Sequence, residues 1–237
     1  MKNEYSSLVV KNKKIHNVLI KPIRCMLIFL PIAVFVFMLH VSGESEPIVW
    51  QKEEKKVAIT FDDGPDAKTT TVLLDGLKAR NVRASFFVIG ERAKEQPELI
   101  LRMSEEGHLI GNHTYSHMQL NALSENQACS QVKAANDVIK EITGNDVIYL
   151  RPPYGEWSHK KDCPQNMIPV YWDVDPLDWK RTDVEGIAAD ILNQVEPGDI
   201  ILLHDIYETS VEAAFLVIDE LLRQGYEFVT VDELMFV

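Results

Sequence analysis

From Val57 onward, short apolar runs alternate with stretches whose apolar residues recur at helical spacing. Residues 57–61 predict a buried strand, ended by the loop Asp62-Asp63-Gly64-Pro65-Asp66. Residues 69–80 predict a helix with Val72, Leu73 and Leu77 inward, closed by Asn81. A strand follows at 84–89 and a helix at 97–106, with Pro97 at its start and Gly107 just past its end. Residues 109–112 are expected to be a short strand or its end. Ser124 and Gln127 then make a capping box for a long helix with Ala128, Val132, Ala135, Ile139 and Ile142 on one face, stopped by Gly144.

Further strands are expected at 147–150, 168–172, 199–203 and 227–231. Asp183 is the expected cap of a helix carrying Ile187, Ile191, Leu192 and Val195. Thr209 and Glu212 are the expected box of one carrying Val211, Ala214, Phe215, Ile218, Leu221 and Leu222. Strand–helix alternation sustained over about 180 residues implies an α/β fold with a mainly parallel sheet, open or closed into a barrel. The polar outliers Asp62, Asp63, His113, Arg151, Asp175, Asp178 and His204 all fall at or just beyond the C-terminal end of a strand, the edge where parallel α/β folds build their chemistry.

The N-terminus is of another kind. Residues 25–41 (CMLIFLPIAVFVFMLHV) carry no formal charge and would span roughly 26 Å as a helix. Six basic residues against Glu4 alone precede them, giving residues 1–24 a charge of +5 and leaving −17 to the rest of a chain whose total is −12. The positive-inside rule then places the leader in the cytoplasm and everything beyond Val41 outside a cell membrane it crosses once. The alternative is a secreted protein whose signal segment is cleaved near Ser42-Gly43. The expected division is a basic leader at 1–24, an anchor at 25–41, a polar linker at 42–56 and a catalytic domain at 57–237. The acidic balance argues against a protein that binds nucleic acid by neutralising phosphates.

His113 and His117 stand four apart, on one face if the stretch turns helically, a workable bite for one divalent ion. Asp62 and Asp63 would point to opposite faces of a regular strand, but Gly64-Pro65 breaks it, so both could turn to one cleft, one as ligand and one as base. An Asx-turn that satisfies loop amides is the competing reading. A two-His, one-Asp shell suits Zn²⁺ acting as a Lewis acid, and also serves non-haem Fe(II). With a metal nearby, His204 is a candidate proton donor that Asp178 could hold as imidazolium. Arg151 could equally be a structural ion-pair partner.

Thr60-Phe61-Asp62-Asp63-Gly64, His113-Thr114-Tyr115-Ser116-His117, Arg151-Pro152-Pro153-Tyr154-Gly155, Asp175-Pro176-Leu177-Asp178-Trp179 and Leu202-Leu203-His204 together resemble the ordered motifs of the polysaccharide deacetylase family, the NodB-homology domain of carbohydrate esterase family four. The resemblance implies a distorted, TIM-like (β/α) barrel and a metal-dependent hydrolase that removes acetyl groups from N-acetylglucosamine polymers, peptidoglycan first and chitin oligosaccharide next. It implies that Asp63, His113 and His117 hold one divalent ion, zinc by preference, with cobalt or another divalent ion as alternatives. Asp62 would be the base that activates the attacking water, Arg151 would orient Asp62, and the Tyr154 backbone N–H would stabilise the oxyanion. His204, tuned by Asp178, would protonate the departing amine, while Trp179 and Leu202 would wall the pocket around the acetyl methyl. Two departures stand out: Met118 where proline often follows the second histidine, and a short, Cys163-containing stretch at 156–169.

An O-acetyl esterase acting on xylan or a biofilm polymer is the nearest rival, because the same machinery cleaves an ester more easily. A glycoside hydrolase would need carboxylates about 5–10 Å apart, for which adjacent Asp62 and Asp63 are a poor pair. An inactive carbohydrate-binding protein could have lost Asp62 or His204, and both are present. Cys129 and Cys163 are the two cysteines of the exported part, where an oxidising exterior permits a disulfide between them.

Overall fold

The structure, a computed structural model, describes residues 55–157 and 166–235. The leader, the apolar segment at 25–41, most of the polar linker and Cys163 therefore lie outside the described residues. No helix among the described residues is long and apolar enough to cross a membrane.

Among the described residues the strands are β1 (Lys56–Asp62), β2 (Ser85–Val88), β3 (Leu109–Asn112), β4 (Tyr149–Leu150), β5 (Ile168–Pro169), β6 (Ile200–His204) and β7 (Glu227–Phe228). Between and after them lie α1 (Thr69–Ala79), α2 (Gly90–Glu95), α3 (Pro97–Glu105), α4 (Glu125–Thr143), α5 (Val184–Leu192), α6 (Glu208–Arg223) and α7 (Val231–Met235). The sheet runs β5-β4-β3-β2-β1-β6, with β7 paired to the start of β1, and every pairing is parallel. Beyond β5 the chain reaches across to the opposite edge: Val174 bridges Ile201, and the Leu202 amide donates to the Val174 carbonyl at 2.9 Å. The sheet is thus a curled half-barrel, the distorted form of the expected (β/α) barrel.

Period-two alternation in β1 divides the core. Val57, Ile59 and Phe61 pack outward against Leu73, Leu77, Val217 and Ile218 of the helices, while Ala58 faces an inner cluster with Phe87, Tyr149, Val170 and Val231. Thr60 and Asp62 share the inner face with Ala58, so the strand that seals the core also delivers a carboxylate to the open end of the curl.

Most expected elements are present, including the Ser124–Gln127 capping box and the left-handed Gly144 C-cap, at φ 76°. Some expectations are corrected. Val72 is 51% exposed, and Leu74 takes the inward place with Leu73 and Leu77. Asp183 makes no cap hydrogen bond, because its carboxylate is held by Arg181 at 2.7 and 2.9 Å. The Thr209–Glu212 box does not form: α6 begins at Glu208 with Tyr207 as its N-cap. Leu222 sits on an exposed flank. The strand expected at 168–172 pairs over two residues only, since the chain leaves β4 to cross the barrel mouth. Two short helices, α2 and α7, had no expected counterpart.

Candidate active site

The open end of the curl collects the polar outliers of the sequence. Asp62 is the last residue of β1, and His204, the last of β6, is its register partner. Asp63 follows at φ 74°, a left-handed turn that swings its side chain out of the strand's alternation. His113 comes directly after β3.

The histidine pair converges by a different route from the helical one considered above. Residues 113–117 form a loop in which Thr114 (φ 66°) and His117 (φ 53°) both adopt left-handed conformations. Asn112, fully buried, shapes its start: the Oδ1 accepts from the Thr114 amide at 2.6 Å, while the Nδ2 donates to Val132 O and Asn136 Oδ1 on α4. Gln131 Oε1 holds the far side by accepting from the Ser116 amide at 2.9 Å.

Asp63 Oδ1 then lies 3.4 Å from His113 Nε2 and 3.2 Å from His117 Nε2. His113 Nδ1 stands 2.7 Å from the Arg151 carbonyl; with Nδ1 donating its proton there, Nε2 is left with a lone pair facing Asp63. Burial alone would raise the Asp63 carboxyl, but the facing His113 and His117 imidazoles hold it down to about 2. Burial lowers His117, favouring its neutral, ligating form. Asp63 Oδ1 is buried without a hydrogen-bond donor. An anionic oxygen and two imidazoles, all within 4.8 Å of one another, form a site able to hold a divalent ion.

Two dyads flank this cluster. Arg151 is fully buried in the barrel interior, over the Phe87 ring at 4.2 Å. Its Nη1 donates to Asp62 Oδ1 at 2.9 Å and to Thr60 Oγ1 at 2.6 Å, and its Nη2 to the Tyr171 carbonyl at 3.2 Å. Asp62 Oδ2 faces His113 Nε2 at 3.8 Å. In the second dyad, His204 Nδ1 pairs with Asp178 Oδ1 at 2.8 Å, and the His204 amide donates to Asp178 Oδ2 at 2.9 Å. Burial would lower His204, but the Asp178 hydrogen bond and charge, helped by Asp62 and Asp63, raise it to about 9.

Tyr154 lies in a left-handed turn (φ 61°), its exposed ring edge-on to His117 at 5.0 Å. Trp179 is half exposed beside the buried Asp178, and Leu202 shares the inner face of β6 with His204. Every expected site residue is therefore at this end. The Asx-turn belongs to Asp66, whose Oδ1 accepts from the Lys68 and Thr69 amides, and not to Asp62 or Asp63. Sequence reasoning missed Thr60, Asn112 and Asp205. Asp205 is fully buried, its carboxyl pushed by burial up to about 7, and its place directly after His204 was the available signal.

The polysaccharide deacetylase family model matches residues 50–165. The peptidoglycan-N-acetylmuramic acid deacetylase PdaA of Bacillus subtilis is 39% identical over 191 residues, 78% of this chain and 73% of PdaA. The chain belongs to the polysaccharide deacetylase family. PdaC of Bacillus subtilis, also a peptidoglycan-N-acetylmuramic acid deacetylase, is 42% identical over 181 residues, 76% of this chain and 39% of PdaC. A peptidoglycan-N-acetylglucosamine deacetylase of Bacillus cereus is 39% identical over 182 residues, 74% of this chain and 66% of that protein. The solved structure of PdaC superposes with a TM-score of 0.75 at 42% identity, covering 77% of this chain and 91% of that one. The chain thus spans about two fifths of the full length of PdaC.

Proposed function

We propose that this chain is a metal-dependent deacetylase that removes N-acetyl groups from N-acetylglucosamine residues of peptidoglycan, with chitin oligosaccharide as the next candidate. The observation that carries this reading is the Asp63–His113–His117 cluster at the strand ends that also carry an Asp62–Arg151 pair and a His204–Asp178 pair. That is one ion site accompanied by a candidate base and a candidate acid. Asp63, His113 and His117 would hold a divalent ion, zinc by the chemistry of the donors, which would supply Lewis acidity toward the acetyl carbonyl and the attacking water.

The chain's own residues do the rest. Arg151 ties up Asp62 Oδ1, so Oδ2 is the oxygen that takes a proton from the attacking water. The Tyr154 backbone N–H donates to the oxygen on which charge develops. His204, kept protonated by Asp178, gives its proton to the departing amine, a poor leaving group without it. Trp179 and Leu202 wall the space for the acetyl methyl.

The basic leader and the apolar run at 25–41 support a single-pass membrane protein with its catalytic part outside the cell, and an exported compartment is compatible with a Cys129–Cys163 bridge. The test is acetate release from peptidoglycan, chitin oligomers and acetylxylan in parallel, with and without a chelator. The expected result is chelator-sensitive release from the N-acetylated polymers, with mass spectrometry assigning the deacetylated ring as glucosamine or muramic acid. Full activity after chelation, or release from acetylxylan alone, overturns the reading.

A further inference from the structure

We infer that Asp205 is a positioning residue that holds the arch of residues 63–65 in the shape that aims Asp63 at His113 and His117. The inference rests on the metal-site reading above and extends it to a residue with no part in the chemistry. Both feet of the arch are fixed. At one, Asp62 closes β1, and its carbonyl accepts from the Asp205 amide at 3.4 Å. At the other, the Asp66 amide donates to Thr70 Oγ1 at 2.8 Å, and Thr70 Oγ1 donates in turn to Asp205 Oδ2 at 2.5 Å. Thr70 and Asp205 are both fully buried, so the relay from loop to carboxylate is shielded from water.

The keystone of the arch rests on the same carboxylate. A Cβ on Gly64 would fall 2.2 Å from Asp205 Oδ2 and 2.3 Å from Oδ1, so only a bare Cα lets the loop settle at this height. From above, the Gly64 carbonyl accepts from the Ile89 amide at 3.0 Å. Asp63, at φ 74°, is the residue the arch holds out of line, and its Oδ1 is the oxygen that lies between the two imidazoles. Burying a carboxyl whose Oδ1 finds no partner is costly. The bond to Thr70 is what that group contributes, and its effect reaches the ion site through Asp63.

The test measures metal affinity without substrate. Zn²⁺ is titrated against a competing chelator, and Co²⁺ absorption is recorded, for the full-length wild type and the Asp205→Ala, Asp205→Asn and Thr70→Val variants. Asp205→Ala and Thr70→Val are each expected to weaken Zn²⁺ binding about 10- to 100-fold and to alter the Co²⁺ spectrum while circular dichroism shows a folded protein. The double variant is expected to be no weaker than the weaker single, because both cut one relay. Asp205→Asn keeps an acceptor for Thr70 and is expected to retain the affinity. If Asp205→Ala does not fold, Thr70→Val carries the same test. Unchanged affinity in the folded variants, additive losses, or an Asp205→Asn as weak as Asp205→Ala overturns this inference while leaving the metal site standing. A wild type that binds no Zn²⁺ overturns the metal-site reading and this inference with it.

Discussion

Asp62 and His204 are register partners on adjacent parallel strands, and each is clamped from a different part of the chain, Asp62 by Arg151 and His204 by Asp178. In the proposed reaction the two groups take opposite tasks. Asp62 has one oxygen tied to a cation and one oxygen free toward the histidines, the arrangement of a base. His204 has one nitrogen tied to a carboxylate, the arrangement of an acid. Because the two strands are hydrogen-bonded along their length, the separation of Asp62 and His204 is fixed by the ladder and not by loops.

Asp62→Asn is expected to lower kcat by about 10²- to 10⁴-fold, the usual worth of a positioned base, with Zn²⁺ affinity close to wild type. The side chain keeps its shape and an oxygen for Arg151, while the three residues of the ion cluster are untouched. Acetate release and a chelator-competition titration on the same preparation check both halves. Loss of metal together with activity would place Asp62 among the ligands.

His204 sets a pH window. Asp178 raises it to about 9 from an ordinary 6.5, so in the metal-free protein its ring signals are expected to titrate near pH 9 by NMR, and near or below the ordinary value in Asp178→Asn. The sign for stability follows. A histidine whose folded pKa is raised contributes stability that is fully present below about pH 6.5 and is lost as pH rises through about 9. Asp178→Asn should therefore cost the protein stability at pH 6 and much less at pH 10, a difference read from denaturant midpoints at the two values.

Arg151 is a buried cation whose removal strands a buried anion. Arg151→Met fills the space between Phe87 and Trp172 but leaves Asp62 without its partner, and is expected to destabilise by about 3–5 kcal/mol at neutral pH. Thr60, which also accepts an Arg151 hydrogen bond, donates one from its own hydroxyl to the Ile201 carbonyl at 2.7 Å. Thr60→Val should reproduce part of the loss in urea melts. An Arg151→Met as stable as wild type would mean that the buried Asp62 does not depend on the guanidinium for stability.

Much of this was legible in the chain because strand ends and chemistry coincide. Apolar runs at 57–61 and 200–203 end directly in Asp62 and His204, so finding the strands found the two residues proposed as base and acid. The histidine loop was harder to read. HxxxH suggests a helical turn, and nothing in those five residues announces that Thr114 and His117 take left-handed backbones; that geometry is imposed by Asn112 and Gln131 from α4. Asp183 takes its expected N-cap place but makes no cap hydrogen bond, because Arg181 holds its carboxylate, and Thr209 is displaced as cap by Tyr207. The return of the chain to β6 through Val174 depends on a pairing between residues far apart in sequence, which periodicity does not encode.

The face of α1 gives the sharpest contrast between pattern and packing, and the last prediction. Val72 and Leu74 are both apolar and two positions apart, yet Val72 is 51% exposed and Leu74 is fully buried in the layer between sheet and helices. Rotation by 200° between two residues of a helix puts them on nearly opposite sides, so at most one of the pair can face β1. Leu73 and Leu77, on the buried stripe, select Leu74 as its third member. Leu74→Ala is accordingly expected to destabilise by about 2–5 kcal/mol, and Val72→Ala to change stability by no more than about 0.5 kcal/mol. Urea melts of the two variants check this. A Val72→Ala as damaging as Leu74→Ala would require another surface to cover Val72.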